Sequence, residues 1–439
     1  MKEGEKLKLV HKFKPNLSHK EQQILNELTF HTTKLYNIIN YAIRENDKVS
    51  PIYTNLDKKF KSNWHCNYLM AHNRQHLIKQ LAKNWKAYFN SLKDYEENPN
   101  KYNAKPKPPG FKNLNNKLNE IIFTNEIARI KGEQGNKLVL SLQKAVKDKY
   151  KVKNIKFELP EVIQNLIHSE TAKKPKGHTV KNTLQQVKVK RDNLSNEWCF
   201  YIIYKIKTKK QPEKSSNTMA IDLGLNNLAT IAFEKNTDSY IINGKPLKCK
   251  NKYYNEKIRH LQSIRMKQTG SQHFKDTKQI KNLRTKRRDY VNNYLHQSSR
   301  RVIDLAQKHS VNKIVIGDLK NIKQGMDYNK DFVQIPIQKF KELIEYKAKL
   351  AGIEVIVINE AYTSGCSALD QEPLNKANYD KSRRIHRGLF ASNANIKINA
   401  DLNGALNILR KFLKNSIPKS IIRMTGKGAV NHPRRISVT

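Results

Sequence analysis

The chain has 439 residues, and 84 Lys and Arg against 38 Asp and Glu give it a formal net charge of +46. The length exceeds one small core and predicts roughly two to four domains. So large an excess of positive charge destabilises a compact state unless a polyanion neutralises it, and nucleic acid is the obvious polyanion. A purely structural RNA binder, such as a ribosomal protein, is equally open at this point.

Composition also argues against three other classes of protein. The four cysteines, Cys66, Cys199, Cys249 and Cys366, have no second cysteine within four residues, which disfavours a disulfide framework and a CxxC zinc half-site. No apolar run reaches the roughly 18 residues of a membrane span. The N-terminus is basic and lacks the apolar segment of a secretory signal. We expect a cytoplasmic, nucleoid-associated protein of a prokaryote.

The first hundred residues predict one strand followed by helices. Residues 6–14 alternate apolar and basic side chains, which is strand periodicity. Ser18 and Glu21 have the spacing of a capping box that opens a helix. The apolar face of a second helix carries Leu77, Leu81, Trp85, Tyr88 and Leu92. Core packing explains the aromatic rings of this face better than base stacking does.

The pattern of residue types changes at two points in the rest of the chain. The helices stop at residues 98–112, a loop rich in Pro and Lys, and strand-like segments follow up to about residue 210. This pattern predicts a β-barrel-like module that begins with the first strand and resumes after a helical insert. Residues 207–218 are polar and charged, as in a linker. Beyond them apolar strands alternate with helices, which predicts an α/β sheet.

Four carboxylates occupy positions at which an α/β sheet can bind ligands. Asp222 lies inside the apolar strand MAIDLGL, Asp401 opens the helix that follows KIN, and Glu360 and Asp318 follow the strands IEVIVI and KIVIG. A buried mid-strand carboxylate is costly unless it is paired or metal-bound. The alternative for Asp222 is a turn residue, and for Asp401 a helix N-cap, for which Asp is well suited.

Acids at strand ends that converge on one crevice can hold two Mg²⁺ ions about 4 Å apart. Such a pair would activate a water molecule and stabilise the leaving 3′ oxygen in phosphodiester hydrolysis. Mg²⁺ prefers carboxylate oxygens, and Mn²⁺ is expected to substitute for it. Convergence in space is not visible in a sequence, so spacing alone leaves this mechanism open.

Several motifs together resemble the RuvC domain of TnpB, the insertion-sequence nuclease related to type V CRISPR effectors. They are MAIDLGLNNLATIAF, EAYTSGCSALDQEP, RRIHRGLF and INADLNGALNILRK, with PPGFK and IIFTN as weaker matches upstream. The resemblance implies an RNA-guided DNA endonuclease. Its expected partners are a guide RNA from the transposon end and a double-stranded DNA target beside a short flanking motif, and it is expected to be a monomer with one RNA.

The resemblance assigns Asp222 as the first catalytic aspartate and Asp401 as the third acid. Many relatives carry the second acid, a glutamate, where this chain has Gly317. We therefore predict that Glu360 is the second acid and keep Asp318 as the alternative. Asp222, Glu360 and Asp401 are then also the predicted Mg²⁺ ligands.

Relatives often hold a four-cysteine zinc ribbon between the second and third acids. Only Cys366 remains in that region, with His386 as one further candidate ligand, so we predict no structural zinc. Nucleic-acid contacts are predicted at basic and aromatic positions across the chain. They are Tyr88, Lys107, Lys112, Arg287, Arg384 and Arg387.

The implied fold is a multidomain α+β protein with a β-barrel-like wedge module and an α/β RuvC/RNase H-like domain. The alternatives for function are a nuclease-dead guided repressor, an unguided RNA-binding protein, and a DNA transposase that joins strands. The predicted domains are residues 1–14 (first wedge strand), 15–108 (helical recognition insert), 109–212 (remaining wedge), 213–415 (nuclease domain, with a helical insertion at about 251–309) and 416–439 (a basic, mobile tail).

Overall fold

A computed structural model describes residues 6–45, 49–115, 118–131, 136–165, 184–208, 217–318, 335–386, 388–414, 418, 421 and 433–438. The chain divides into two compact units, which meet in sequence between Ile206 and Lys207. The N-terminal unit comprises residues 6–206 and the C-terminal unit comprises residues 207–439 together with the first five residues. The finer predicted division into wedge, insert, nuclease and tail stays a prediction.

Helices make up much of the N-terminal unit. They are α1 (His19–Glu45), α2 (Tyr53–Phe60), α3 (Ala71–Glu97) and α4 (Lys144–Tyr150), with short 3₁₀ helices at Trp64–Tyr68 and Pro99–Lys101. The predicted capping box is present, since the Ser18 backbone N–H donates to Glu21 Oε2 at 2.8 Å and the Glu21 N–H donates to Ser18 Oγ at 3.3 Å. The core-packing interpretation of Trp85 is confirmed, because this ring is buried and donates to Asn40 Oδ1 at 2.9 Å.

The described part of the N-terminal unit also contains seven strands. They are β1 (Lys6–Phe13), β2 (Ile121–Thr124), β3 (Ala128–Lys131), β4 (Lys137–Ser141), β5 (Asn154–Glu158), β6 (Leu184–Arg191) and β7 (Trp198–Lys207). β1 joins the strands after the helical insert, as predicted, in a sheet of order β1-β7-β6-β2. β3, β4 and β5 form a second sheet. The described strands thus form two sheets, and both contribute to one apolar core with the helices. The barrel-like arrangement of this module stays a prediction.

A six-stranded sheet organises the C-terminal unit. Its strands are β8 (Asn217–Leu223), β9 (Asn227–Phe233), β10 (Ser239–Asn243), β11 (Val311–Asp318), β12 (Glu354–Asn359) and β15 (Arg434–Ile436). The order is β12-β11-β8-β9-β10-β15. β8, β9 and β10 are antiparallel neighbours, whereas β11 runs parallel to both β8 and β12. The sheet is therefore mixed, with its parallel strands β8, β11 and β12 adjacent to one another.

Helices cover the sheet, and a small hairpin precedes the last of them. The helices are α5 (Lys245–Thr269), α6 (Lys278–Lys308), α7 (Ile337–Leu350) and α8 (Ala400–Phe412), and the hairpin pairs β13 (Leu389–Ala391) with β14 (Lys397–Asn399). Met219 and Ile221 of β8 pack in the core to which α6 and α7 contribute, whereas Ala220 packs with Ile408 of α8. The two-residue period of a strand then places Asp222 on the α8 side of the sheet.

Part of the C-terminal tail is ordered, which corrects the prediction of a mobile tail. Residues 434–436 form β15, a parallel strand beside β10. Without β15 the backbone groups of β10 would be left unpaired at the sheet edge, and pairing removes that cost. Most of the remaining tail, and most of the predicted linker at 207–218, lie outside the described residues. No described helix combines the length and the apolar character needed to cross a lipid bilayer.

Candidate active site

Asp222 is the next-to-last residue of β8 and lies directly against α8. A Cβ atom on Gly404 of α8 would lie 2.7 Å from Asp222 Oδ2, which is closer than van der Waals contact allows. Glycine at 404 therefore lets the helix approach the carboxylate. The group that approaches the helix at this glycine is the Asp222 side chain.

Glu360 follows the end of β12 and lies in front of the neighbouring strand β11. A Cβ atom on Gly317 would overlap Glu360 Oε2 and lie 3.3 Å from Glu360 Cβ. The glutamate side chain thus passes over the backbone of the position at which relatives carry their second acid. Its longer side chain compensates for its origin on the adjacent strand.

Asp401 is the second residue of α8, and it does not cap the helix. Asn399 is the N-cap, because its side chain accepts from the backbone N–H groups of Asp401 and Leu402, both at 3.1 Å. This rules out the N-cap alternative for Asp401. Its carboxylate instead accepts from Asn227 Nδ2 at 2.6 Å and lies 3.7 Å from the Arg384 guanidinium.

Burial and neighbouring carboxylates raise the pKa of two of the three acids, Asp222 and Glu360. Burial raises the pKa of Asp222 well above its ordinary value, and the charges of Asp401 and Glu360 raise it further, against an opposing effect of Arg384. Burial and the charge of Asp318 raise the pKa of Glu360, while Lys341 opposes that rise. The acids therefore lie close enough to repel, and this crowding is costly unless a cation neutralises it.

Asp318, the alternative second acid, ends β11 beside this cluster. It forms an ion pair with Lys341 of α7 at 3.5 Å. Asp318 affects Glu360 but is not among the charges that raise the pKa of Asp222. This arrangement favours Glu360 over Asp318 as the partner of Asp222.

Carboxylate oxygens are the donors that Mg²⁺ prefers, so the donor set fits a hard divalent ion. Within the part of the chain that the structure describes, no group of three or more His, Cys, Asp and Glu side chains is spaced to hold a metal. The spaces opened by Gly317 and Gly404 keep two of the carboxylates on the same face of the sheet.

Two polar residues at this site were not predicted as functional. Asn227, at the start of β9, donates to Asp401. Arg435 of β15 in turn donates to Asn227 Oδ1 at 3.1 Å and to Asn243 Oδ1 at 3.3 Å. The sequence places Asn227 directly after the Asp222 strand, which could have indicated its role, whereas nothing near Arg435 in the sequence pointed to the site.

The segment between Glu360 and Asp401 is held by a polar network built on α8. The buried Arg410 donates to the Asn407 side chain and to the Glu372 carbonyl, both at 2.9 Å. Asn403 and Asn407 donate to the carbonyl of Cys366, each at 2.8 Å. We call Arg410, Asn403, Asn407 and Glu372 the α8 network. It fixes the backbone in the region where relatives often carry a zinc ribbon, while the absence of zinc itself stays a prediction.

The predicted nucleic-acid contacts have different positions. Tyr88, Lys107 and Lys112 line one open groove of about 500 Å³ in the N-terminal unit. Arg287 donates to Asn251 Oδ1 at 2.5 Å and so links α6 to α5. Arg384 lies at Asp401, as described above, and Arg387 lies outside the described residues.

Two regions of the chain match family models. Residues 201–323 match OrfB_IS605, described as a probable transposase, and residues 338–408 match the TNB domain of Cas12f1-like proteins. Together they include Asp222 and Glu360 and Asp401, the three predicted acids. Apart from residues 201–206, both matched regions lie in the C-terminal unit, and they contain β8, β12 and most of α8, which position these acids.

Curated relatives point to the same group. The CRISPR-associated endodeoxyribonuclease Cas12f1 of Sulfoacidibacillus thermotolerans is 28% identical over an alignment of 239 residues that covers 52% of this chain and 54% of the relative. A TnpB-like protein of Methanocaldococcus jannaschii is 25% identical over an alignment of 216 residues that covers 48% of this chain and 74% of the relative. The chain thus spans about half the length of that Cas12f1. These matches confirm the predicted resemblance: the chain is a homologue of TnpB-like and Cas12f proteins.

A solved structure shares the fold. The cryo-EM structure of a Cas12f1–sgRNA–target DNA complex superposes with a TM-score of 0.50 at 16% identity, covering 89% of this chain and 83% of that one. At this identity the likeness concerns the fold alone. It confirms a multidomain architecture of mixed helices and sheets.

Proposed function

We propose that this protein is an RNA-guided DNA endonuclease that cleaves guide-complementary double-stranded DNA beside a short flanking motif. Homology to Cas12f and TnpB-like proteins supports the coarse class of RNA-guided nuclease. The proposal extends this homology to cleavage chemistry, to the acids that perform it, and to a guide RNA derived from a transposon end.

One observation carries the proposal: Asp222, Glu360 and Asp401 crowd one face of the C-terminal sheet, and glycines accommodate two of them. A protein that only bound nucleic acid would gain nothing from placing mutually repelling acids on a chain of net charge +46, since they repel phosphates. Carboxylates crowded in this way are explained if they serve to hold divalent cations.

The three acids would hold two Mg²⁺ ions, which when bound supply a nucleophilic water and neutralise charge on the leaving 3′ oxygen. Asn227 orients the Asp401 carboxylate by donating to it. Arg384 places a guanidinium beside the same carboxylate, where it can neutralise a phosphate that approaches the acids. The strand order β12-β11-β8-β9-β10 also supports a RuvC/RNase H-like domain. In this order β8, β9 and β10 form an antiparallel meander, and the parallel strands β11 and β12 extend the sheet beyond β8.

The groove of the N-terminal unit is the proposed place of further nucleic-acid contact. Its lining combines the Tyr36 and Tyr88 rings with Lys107 and Lys112. Hydrogen bonds shape its wall, because Asn37 donates to the Lys112 carbonyl at 2.9 Å and Asn40 to the Pro109 carbonyl at 2.8 Å. Target sequence would be read by base pairing with the guide, so such residues need to recognise only backbone shape and a short motif.

Purification from cells that carry the flanking transposon sequence tests the proposal. Sequencing of the bound RNA should reveal one dominant species with a variable end, and the complex with Mg²⁺ should cut a plasmid that carries the matching target. Asp222→Ala should bind the same RNA and DNA and leave the plasmid intact.

Other outcomes would identify the competing functions. Target binding without cleavage by the wild-type complex would indicate a guided repressor. A mixture of ribosomal RNA fragments would indicate an unguided RNA-binding protein, and joined DNA products would indicate a transposase. Each of these results would overturn the proposal.

A further inference from the structure

A second open pocket of the N-terminal unit lies apart from the predicted contacts. It has a volume of about 940 Å³. Its lining residues belong to α1, to the 3₁₀ helix Trp64–Tyr68, to the loop before β2, to α4 and to the end of β6. We call it the Trp64 pocket. The residues that carry the argument are Asn26, Phe30, Trp64, Tyr68, Lys149 and Arg191.

Aromatic rings form one wall of this pocket. The His31 ring stacks in parallel on Tyr68, with centroids 3.9 Å apart, and the Trp64 ring meets both at 5.3 and 5.2 Å. Phe30 contacts His31 edge to face at 5.4 Å. Burial, and the neighbouring His65, lower the pKa of His31 to about 4. His31 is therefore a neutral ring at physiological pH and supports Trp64 as an aromatic group rather than a cation.

The outer rings of the wall are exposed. Trp64 is 57% and Phe30 is 38% exposed, whereas the other two tryptophans, Trp85 and Trp198, are buried. An isolated exposed aromatic residue needs no explanation, but two that share a pocket and rest on a packed aromatic base mark a binding surface. The supporting rings fix the orientation of Trp64 before any ligand arrives.

Cations and amides form the rim. Lys149 is exposed and pairs with Glu27 at 2.7 Å. The Arg191 guanidinium also lines the pocket; it lies 5.2 Å from the Trp198 ring and donates to Asn196 Oδ1 at 3.3 Å. Asn26 adds an amide to the lining. A flat aromatic surface with cations at its edge complements a base joined to a phosphate backbone. A protein partner would instead match a larger apolar area with fewer cations.

We propose that the Trp64 pocket binds an unpaired nucleobase of the RNA, which stacks on Trp64 and Phe30 while Lys149 and Arg191 contact its phosphates. The inference rests on the proposed function only in taking RNA as the bound partner. RNA is favoured over DNA because single-stranded RNA loops and ends present unstacked bases, whereas the target DNA enters as a duplex. Stacking tolerates any base, so the pocket need not read sequence.

A cycle of protein and ligand variants isolates the stacking contact. The probes are an oligouridylate of about ten nucleotides and a strand of equal length with abasic ribose at every position, which keeps the phosphates and removes the bases. Affinities are measured for the full-length wild type, Trp64→Ala, Trp64→Phe and Tyr41→Ala. Tyr41 is the matched control, an exposed aromatic of α1 that is not among the residues lining the pocket.

Trp64→Ala should weaken binding of the oligouridylate roughly 5- to 150-fold, the range for one base stacked on an aromatic ring. Its affinity for the abasic strand should equal that of the wild type. Trp64→Phe should keep most of the affinity, and Tyr41→Ala should change nothing. The oligouridylate should also quench tryptophan emission in the wild type, an effect that the abasic strand and the Trp64→Phe variant lack.

The proposal for this pocket would be overturned if Trp64→Ala weakened the binding of both strands equally or weakened the binding of neither. A DNA duplex of equal length with an equal or larger Trp64-dependent effect would overturn the assignment to unpaired RNA. The readout needs no cleavage, so Asp222→Ala should give the wild-type result. Failure of the pocket can therefore be distinguished from failure of the nuclease proposal.

Discussion

Helix α8 contributes to two polar clusters that differ in how their charges are balanced. At its N-terminus Asp401 joins Asp222 and Glu360, and burial and like charges raise the pKa of the last two. Further along the helix, Arg410 is only 1% exposed but donates to the Asn407 side chain and the Glu372 carbonyl. Paired polar groups stabilise a fold, whereas unpaired like charges weaken it. The difference indicates that the α8 network is structural and that the acids are retained for chemistry.

The largest expected effect is the difference in cleavage rate between variants of Glu360 and of Asp318. Glu360→Ala should lower the rate of target cleavage about 10³-fold or more, since charge stabilisation at a metal site is worth several kcal/mol. RNA and DNA binding should persist. Asp318→Ala should remain active, because Asp318 pairs with Lys341 and does not act on Asp222.

Plasmid cleavage by the two purified variants, each loaded with RNA, measures this difference. An inactive Asp318→Ala together with an active Glu360→Ala would show that the second acid is misassigned. Glu354→Ala, at the far end of β12, is the matched control for loss of a glutamate.

Substitutions at Gly317 test the position of the Glu360 carboxylate. Gly317→Ala should reduce cleavage roughly tenfold or more, because the added Cβ overlaps the Glu360 carboxylate and even a shift of about 1 Å is costly in an active site. The double variant Gly317→Glu with Glu360→Ala moves the carboxylate to the neighbouring strand. It should cut faster than Glu360→Ala alone.

These differences are measured as single-turnover cleavage rates of the wild type, Gly317→Ala, Glu360→Ala and the double variant. If the double variant were no faster than Glu360→Ala, the idea that Glu360 substitutes for an acid at position 317 would lose its support.

The α8 network predicts a loss of stability instead of a loss of chemistry. Arg410→Ala should destabilise the C-terminal unit by about 2–5 kcal/mol, because buried acceptors lose their donor. Lys411→Ala is the control on the same helix, since Lys411 is partly exposed and bonds only the Ala361 carbonyl at 3.2 Å in the described residues. Thermal denaturation measures both variants.

The same melting curves test the prediction of no structural zinc. A zinc chelator should leave the wild-type melting temperature unchanged, because hydrogen bonds fix the segment that follows Glu360. A drop on chelation, reversed by zinc, would contradict this.

The smallest expected effect is the pH dependence of thermal stability. An aspartate whose pKa is raised by folding binds its proton more tightly in the folded state, so stability falls as pH rises above the ordinary value of 3.8. Metal-free Asp222→Asn should therefore melt higher than wild type at neutral pH by a few degrees, given roughly 2–4 °C per kcal/mol for a unit of this size. The difference should shrink toward pH 4 and on addition of Mg²⁺.

Scanning calorimetry with a chelator, repeated across that pH range, measures the effect. A variant that melts lower than the wild type throughout would show that Asp222 stabilises the fold, contrary to the argument from its environment.

Much of the architecture could be predicted because it follows local patterns. The capping box at Ser18, the strand around Asp222 and the apolar face of α3 all depend on periodicity or on neighbours three or four residues apart. The resemblance to TnpB added the order of the acids. The division of the N-terminal strands between two sheets, and the ordered strand β15, could not be predicted because strand pairing joins residues far apart in the chain.

The sequence by itself determined the charge, the helices and strands, and a short set of candidate acids. Only the tertiary structure decided that Asn399 rather than Asp401 caps α8, and that Glu360 lies over Gly317. It alone brought Phe30 and Trp64 into one pocket. Local patterns fix what each segment becomes, but contacts between distant segments depend on packing, which is settled only when the whole unit folds.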